Sequence, residues 1–324
     1  MTKTIDALVK SIAQEVAACD TVWQLPWRLP HALPMNAQSG RRYRGINVLN
    51  LSLTAQLRDY RKPYWLTFRQ AIAMGGCVRK GERGTKIVFM KPLPVEESEP
   101  ERHVWRVWTV FNIAQINGLE LPPPVSPSDE HDRTYGDHAF TRRFLDCLET
   151  PVEHMDCTPC YIPAIDRINL PAESAFIDTR HLTASQNYLA TLLHEHVHAT
   201  GHPKRLARVS TSPPTPSDYA FEELVAEIGS ALLARLLGLE QRIAEDHIAY
   251  LAHWQSLLDK EPNQLIRAAS LAEKAIACLE AQAGVRLDAD LPAASSATLP
   301  PSVSGSREDT GTGNPHGLRP VLVT

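Results

Sequence analysis

TLLHEHVHATGH, residues 191–202, holds four histidines and one glutamate at the end of an otherwise apolar run. Within it, His194, Glu195 and His198 form the pattern H-E-x-x-H. Histidines four residues apart lie one turn above each other on an α-helix, so both imidazoles can reach one metal ion. Glu195 projects beside them, where its carboxylate can act as general base on a water that the metal activates. The stretch therefore predicts a helix with a metal site.

The rest of this helix is apolar and has a defined end. Leu189, Leu192, Leu193 and Val197 form its opposite side, and Gly201 with a following proline predicts that the helix stops there. His196 and His202 are expected at the surface or behind the ligands rather than on the metal.

A third ligand is expected from YAFEELVAEIGSALL, residues 219–233, because this core-like helical segment contains carboxylates. H-E-x-x-H followed by E-x-x-x-E resembles the gluzincin arrangement of the zincin metallopeptidases. The resemblance implies one Zn²⁺, or another divalent metal, per chain, with Glu223 as third ligand. It also implies that Glu227 orients a ligand histidine from behind. Glu222 competes for the ligand position, because the sequence does not define the rotation of this helix.

Length and composition indicate an intracellular protein with two domains. The 324 residues are enough for two domains, and no apolar run approaches the length of a membrane span. Six scattered cysteines are typical of a reduced protein, which favours the cytoplasm. The pair Cys157 and Cys160 lacks a second pair to complete a zinc ribbon, and it is interpreted as incidental.

The charge is divided unevenly along the chain. Residues 1–92 contain 15 Lys and Arg against 5 Asp and Glu, whereas the remainder contains 18 basic and 32 acidic residues. Aromatic residues are interleaved with the basic ones in the first part, which is typical of a surface for single-stranded nucleic acid. The predicted DNA-binding residues are Trp27, Arg28, Arg41, Arg42, Tyr43, Arg44, Asn47, Tyr64, Trp65, Arg69, Gln70, Arg79, Lys80 and Lys86.

Hydrophobic periodicity predicts an α+β fold in two domains. Helices are expected over 3–18, 46–59 and 67–76, and strands over 86–90 and 104–112. A helix near 138–149, short strands around 160–178 and helices near 184–200, 218–237, 240–258 and 262–282 follow. We predict a basic α+β domain over 1–121, a Pro-rich linker over 122–136, an α-rich zincin-like domain over 137–285 and a disordered tail over 286–324.

Several blocks of sequence resemble one family. WQLPWR (23–28), YWLTFRQA (64–71), VRKGERGTKIVF (78–89) and TVFNIAQINGL (109–119) are similar to the N-terminal single-stranded-DNA-binding domain of ArdC-type antirestriction proteins. YLATLLHEHVHATGHPKRLAR (188–208) and YAFEELVAEIGSALL resemble the zincin-like domain of that family. The resemblance implies a plasmid or other mobile-element protein that acts in conjugation. It would bind single-stranded DNA and protect incoming DNA from host restriction.

Three interpretations of the second domain stay open. It can be a zinc metallopeptidase that cleaves a host restriction or regulatory protein. It can be a metal-stabilised scaffold in a non-enzymatic coat of single-stranded DNA. It can also be a peptidase that DNA triggers to cleave a regulatory partner. Tyr188, Tyr219 and His253 are equivalent candidates for stabilising an oxyanion.

Overall fold

The computed structural model describes residues 33–92, 103–121, 138–179, 182–209, 215–239, 261 and 263–287, together with Ala7 and Lys10. These residues lie in one compact unit, Met1–Ala294; a second unit, Ser295–Thr324, lies outside the described residues. The predicted linker, the helix at 240–258 and nearly all of the predicted tail also lie outside them. So do Trp27, Arg28 and, apart from Ala7 and Lys10, the helix at 3–18.

Six helices and nine strands make up the described part of the chain. The helices are α1 (Ile46–Leu57), α2 (Phe68–Ala73), α3 (Ala139–Asp146), α4 (Ala184–Ala199), α5 (Pro216–Leu236) and α6 (Asn263–Ala283). The strands are β1 (Met35–Asn36), β2 (Tyr64–Thr67), β3 (Cys77–Val78), β4 (Thr85–Pro92), β5 (His103–Asn112), β6 (Ile116–Asn117), β7 (Val152–His154), β8 (Cys160–Ile162) and β9 (Arg167–Leu170).

The first half contains a four-stranded sheet in the order β1-β2-β5-β4. β1 and β2 are parallel, and the other neighbours are antiparallel. Successive residues of β2 point to opposite faces. Trp65 packs with Ile87 on one face, and Leu66 packs with Ile113 on the other. Both faces of β2 are therefore buried.

Helix α1 closes the outer edge of β4, which is the last strand of this sheet. The Asn47 amide donates to the Val88 carbonyl at 2.7 Å and accepts from the Val88 amide at 2.8 Å. One turn later, Asn50 donates to the Lys86 carbonyl at 2.7 Å. These bonds satisfy backbone groups that would otherwise form an open edge.

The second half combines the three-stranded sheet β7-β9-β8 with helices α4, α5 and α6. Helix α4 begins at a reciprocal capping box between Thr183 and Gln186. Gly229 of α5 allows α4 to approach closely, because a β-carbon at Gly229 would lie 2.8 Å from Val197 Cγ1. The two helices that carry the predicted metal ligands are therefore tightly packed.

The two halves share one hydrophobic cluster, which includes Ile46 and Val88 from the first half and Leu193 and Leu224 from the second. A buried ion pair also joins them. Both terminal nitrogens of Arg42 donate to the Glu273 carboxylate of α6 at 2.8 Å, and the same carboxylate accepts from the Gly45 amide at 3.2 Å. Glu273 thus caps the start of α1.

The α+β fold class is confirmed. Predicted helices at 46–59, 184–200, 218–237 and 262–282 correspond to α1, α4, α5 and α6, and the two predicted long strands correspond to β4 and β5. Strand β2 was not predicted, because its buried YWLT segment lacks the alternation of a half-exposed strand. Among the described residues, none of the helices combines the length and apolarity needed to cross a membrane.

Candidate functional site

Three side chains from α4 and α5 converge on one point. His194 Nε2 lies 3.0 Å from His198 Nε2. Glu223 Oε2 lies 3.5 Å from His194 Nε2, and Glu223 Oε1 lies 3.5 Å from His198 Nε2. Ligand atoms of the three residues all lie within 4.8 Å of one another. The helical spacing of the histidines and the close packing of α5 on α4 create this arrangement.

The separations of these atoms fit a small divalent ion. Donors bound about 2.0–2.2 Å from a tetrahedral metal lie roughly 3.3–3.5 Å apart, close to the separations of the triad. Two bare imidazole nitrogens in contact would repel each other, so a proton or a cation must lie between His194 and His198. The donor set of two imidazoles and one carboxylate suits zinc and several other divalent metals. It also leaves a fourth position open.

Glu222 lies behind His198 rather than at the metal position. Its Oε1 lies 3.3 Å from His198 Nδ1, the ring nitrogen that faces away from the triad. Arg208 holds this carboxylate through two bonds of 2.7 Å, from Nε to Oε2 and from Nη2 to Oε1. The rotation of α5 therefore directs Glu223 toward the triad and Glu222 toward Arg208. Sequence alone did not distinguish these two adjacent glutamates.

Arg208 is a site residue that the sequence analysis missed. It returns to α4 because residues 201–208 form a compact loop in which the Gly201 carbonyl accepts from the Arg208 amide at 2.8 Å. Its guanidinium also donates to Thr200 Oγ1 at 3.1 Å and to the Val197 carbonyl at 2.9 Å. Lys204 and Arg205 occur in the same segment. The pattern of residue types offered no signal to distinguish Arg208 from them.

Glu227 has the corresponding position behind His194. Its Oε1 lies 3.6 Å from His194 Nδ1, and both side chains are nearly buried. Each triad imidazole therefore has one ring nitrogen toward Glu223 and the other toward an outer carboxylate. Carboxylates in such positions orient a histidine ligand and increase its basicity.

The electrostatics of the cluster favour a positive charge at the triad. Burial by itself would raise the pKa of Glu223, but its hydrogen bonds with both imidazoles outweigh burial and hold that pKa well below its usual range. Burial would likewise raise the pKa of Glu222, whereas His198 and Arg208 lower it. Both carboxylates are therefore ionised at neutral pH. They raise the pKa of His198 against the effect of its burial.

Glu195 is buried next to the triad, and no hydrogen bond engages its carboxylate within the described ranges. Its negative charge also reaches strand β8, since it contributes, after burial, to a raised pKa of the Cys160 thiol. A neutral thiol is a poor nucleophile, so the raised pKa makes Cys160 less reactive. The Glu195 carboxylate thus has no competing hydrogen bond among the described residues.

His196 and His202 are both buried, which excludes the surface position, one of the two positions expected for them. Burial, and then the charge of Arg205, lower the pKa of His196 to about 3, so its ring is neutral. His202 Nδ1 accepts from the Lys204 amide at 3.2 Å and lies 3.7 Å from Asp166 Oδ2. Neither ring belongs to the triad.

A second polar cluster fixes the end of α4. Arg205 donates from Nε to the Ala199 carbonyl at 2.7 Å and forms an ion pair with Asp166, in the turn between β8 and β9. Tyr161 donates to the same carboxylate at 2.9 Å. Burial would raise the pKa of Asp166, but the bonds from Arg205 and Tyr161 lower it. This cluster attaches the small sheet to the helix that carries the triad.

Several predicted DNA contacts are corrected by burial. Trp65 is 0% exposed, and Tyr43 and Tyr64 are also buried, so none of these rings can stack on a base. Asn47 holds the edge of β4, and Arg42 is paired with Glu273. Packing overrides the basic and aromatic pattern at these positions, because the same residue types fill the core and join the two halves.

The other described residues predicted to contact DNA are partly or fully exposed. Gln70 is half-buried and belongs to the capping box of α2, with its Oε1 accepting from the Thr67 amide at 2.9 Å. Arg79 is exposed and bonds to Glu82 at 2.5 Å. The remaining exposed residues of this set are Arg41, Arg44, Arg69, Lys80 and Lys86.

Both halves of the chain are similar to known protein families. Residues 2–132 match the N-terminal domain of anti-restriction factor ArdC, and residues 140–271 match a zincin-like metallopeptidase domain. A DNA primase TraC of Escherichia coli is 32% identical over 294 residues, which cover 83% of this chain and 26% of the primase. The chain thus spans about a quarter of that relative. An uncharacterised protein of Sinorhizobium fredii, y4eC, is 30% identical, with 87% of this chain and 92% of that protein covered.

Crystal structures of the antirestriction protein ArdC from plasmid R388, one with Mn(II) bound and one metal-free, are also similar. Each superposes with a TM-score of 0.71 at 32% identity, covering 87% of this chain and 98% of the ArdC chain. These matches extend across both the first half and the half that holds the triad. The chain therefore belongs to the ArdC family of antirestriction proteins.

Proposed function

We propose that this protein is an antirestriction factor of a plasmid or other mobile element, acting in the cytoplasm of the recipient cell. It binds single-stranded DNA with its first half and holds one divalent metal in its zincin-like half. The observation that carries the proposal is the convergence of His194, His198 and Glu223 on one point, in a chain of the ArdC family. We also propose functional domains at 1–121 and 137–285, joined by the 122–136 linker and followed by the 286–324 tail.

The metal would be held by His194, His198 and Glu223, with Glu222 and Glu227 orienting the two imidazoles. Zinc is our first choice, because two neutral imidazoles and a carboxylate with an open fourth position form a typical catalytic zinc site. Manganese is the alternative, since the R388 ArdC protein has a Mn(II)-bound structure. When bound, the metal would supply Lewis acidity to a water and to a peptide carbonyl.

We propose that the chain's own residues then support peptide hydrolysis in a host restriction or regulatory protein. Glu195 would accept the proton of the attacking water and deliver it to the departing amine, because its carboxylate is ionisable, close to the triad and not hydrogen-bonded within the described residues. The buried surroundings of α4 would exclude bulk water from the reacting groups. The geometry does not single out a residue for the oxyanion.

The proposed DNA binding rests on the charge of the first half and on the relatives. Residues 1–92 have three times as many basic as acidic residues. The relatives include two proteins of Escherichia coli named DNA primase TraC. Association with phosphates should weaken steeply as salt increases. Single strands should compete better than duplex if exposed rings stack on unpaired bases.

The decisive experiment compares Glu195→Gln with His194→Ala in a conjugative transfer assay into a restricting host. If peptide hydrolysis protects the incoming DNA, Glu195→Gln loses protection while it retains the metal, the fold and DNA affinity. If the second half is only a metal-stabilised scaffold, Glu195→Gln protects as well as wild type, whereas His194→Ala loses metal and stability. New peptide termini in host lysate that appear only when single-stranded DNA is added would identify a DNA-triggered peptidase.

A further inference from the structure

Two aromatic side chains on the β4–β5 hairpin are half-exposed, although their neighbours on the same face are buried. Phe89 is 47% and Trp108 is 48% exposed, whereas Ile87 is 1% and Val110 is 0% exposed. Aromatic rings contribute strongly to a core when they are buried. Two large rings left at the surface of one sheet therefore indicate a contact surface.

The strand register places these rings together. Trp108 is directly opposite Ile87, and Phe89 is directly opposite Arg106. Opposite residues of antiparallel strands point to the same face, and so do residues two apart on one strand. Phe89, Arg106 and Trp108 therefore share a face, and Phe89 and Trp108 are diagonal neighbours whose backbone positions lie about 7–8 Å apart. Arg106 is exposed beside both of them, directly opposite Phe89 and two residues before Trp108.

The charge around this face fits a nucleic acid. Helix α1 and strands β4 and β5 contain no aspartate or glutamate, and Arg106 is exposed on this face, whereas the exposed Lys86 lies on the opposite face of β4. Four glutamates, at 96, 97, 99 and 101, occur between the two strands, in a segment outside the described residues. The charged side chain that the structure describes on this face of the two strands, Arg106, is therefore basic.

We propose that Phe89, Arg106 and Trp108 form an aromatic platform on which unpaired bases of single-stranded DNA stack, and that Arg106 contacts a phosphate or a base face. The inference rests on the proposed DNA binding and names where it occurs. Flat rings offer stacking to every base without sequence preference, and a guanidinium adds charge and cation–π contact. An apolar protein partner would not require a cation beside the rings. The platform replaces the buried Trp65, Tyr43 and Tyr64 as the stacking surface.

The test measures affinity for a fluorescein-labelled oligothymidine by anisotropy, at low and moderate salt, on the full chain. Trp108→Ala and Phe89→Ala should each weaken binding at least about fivefold, because stacking of a base on an aromatic ring contributes about 1–3 kcal/mol. Trp108→Phe should retain most of the affinity, since it preserves a ring. Arg106→Gln should reduce the slope of affinity against salt by about one phosphate contact.

Phe68→Ala is the matched control, because Phe68 is 52% exposed in the same half of the chain. Its helix α2 packs through Ala71 with Leu66, on the face of the sheet opposite Trp65. It should bind within about twofold of wild type, and circular dichroism should show that all variants are folded. If wild type binds single strands and Trp108→Ala and Phe89→Ala bind equally well, the platform is wrong while DNA binding stands. An equal loss in Phe68→Ala also overturns it. A wild type without preference for single strands overturns the DNA-binding proposal itself.

Discussion

Replacing Arg208 and Glu222 together by methionine should weaken metal binding while leaving the protein folded. Arg208 holds Glu222 through two hydrogen bonds of 2.7 Å, and Glu222 Oε1 in turn lies 3.3 Å from His198 Nδ1. The double variant leaves His198 without its outer carboxylate. Loss of such a partner typically lowers metal affinity about 10- to 100-fold, which corresponds to about 1.4–2.7 kcal/mol.

The double variant is preferred because each single variant leaves one charge without its partner. Both side chains are nearly buried, at 6% and 15% exposure. Breaking a buried ion pair from one side costs about 3–5 kcal/mol, whereas replacing both partners by apolar residues is often nearly neutral. The Thr200 hydroxyl and Val197 carbonyl would each lose a donor, so we expect the double variant to lose no more than about 2 kcal/mol.

Two measurements separate affinity from stability. Calorimetric titration with Mn(II) or Zn²⁺ gives the dissociation constant, and urea unfolding of the metal-free protein gives the free energy of unfolding. We expect weaker metal binding in the double variant with a modest change in stability, and unfolding at much lower urea in Glu222→Met. If the double variant binds metal as tightly as wild type, Glu222 does not orient His198 and the assignment of its role is refuted.

Three further predictions concern the fold around the site. Gly229→Ala should lower the free energy of unfolding, because its β-carbon would lie 2.8 Å from Val197 Cγ1. The cost of overpacking, about 1–3 kcal/mol, outweighs the ~1 kcal/mol gain in helix propensity. Denaturant unfolding should show that adding Val197→Ala recovers part of the loss. Asn47→Ala should destabilise the metal-free protein by about 1–3 kcal/mol, because two buried backbone groups of β4 lose their hydrogen-bond partner. An unchanged urea midpoint would contradict the role of Asn47 in closing the edge of β4. The pKa of Asp166 is lowered in the folded state, so its carboxylate stabilises the fold above the unfolded pKa of about 3.9 and loses this contribution as pH falls through the lower folded pKa. Wild type should therefore be more stable than Asp166→Asn at pH 7. In paired denaturation curves, the difference in stability should shrink below about pH 3.

The helical part of the site could be predicted from sequence because it depends on local periodicity. Spacing of four between His194 and His198 is a helical relation, and the apolar residues beside them identify the buried side of α4. The choice between Glu222 and Glu223 could not be predicted. It depends on the rotation of α5 against α4, which is a matter of tertiary packing around Gly229.

Which aromatic residues are exposed for the proposed DNA binding could not be predicted from sequence. The local sequence around Trp65 and around Trp108 is similarly rich in basic and aromatic residues, yet Trp65 lies in the core and Trp108 at the surface. The difference arises from strand pairing, because both faces of β2 are covered, whereas Trp108 lies on the part of β5 beyond its pairing with β2, which ends at Val110. Pairing between strands distant in sequence is not encoded in local pattern.

Metal content measured by elemental analysis tests the central claim most directly. Wild type, Glu195→Gln, His198→Ala and Glu223→Gln would be equilibrated with Zn²⁺ or Mn(II) and separated from free ion by gel filtration. We predict one ion per chain in wild type and in Glu195→Gln, and marked loss in His198→Ala and Glu223→Gln. A wild type that holds no ion, or a His198→Ala variant that holds as much as wild type, would contradict the metal site on which this account depends.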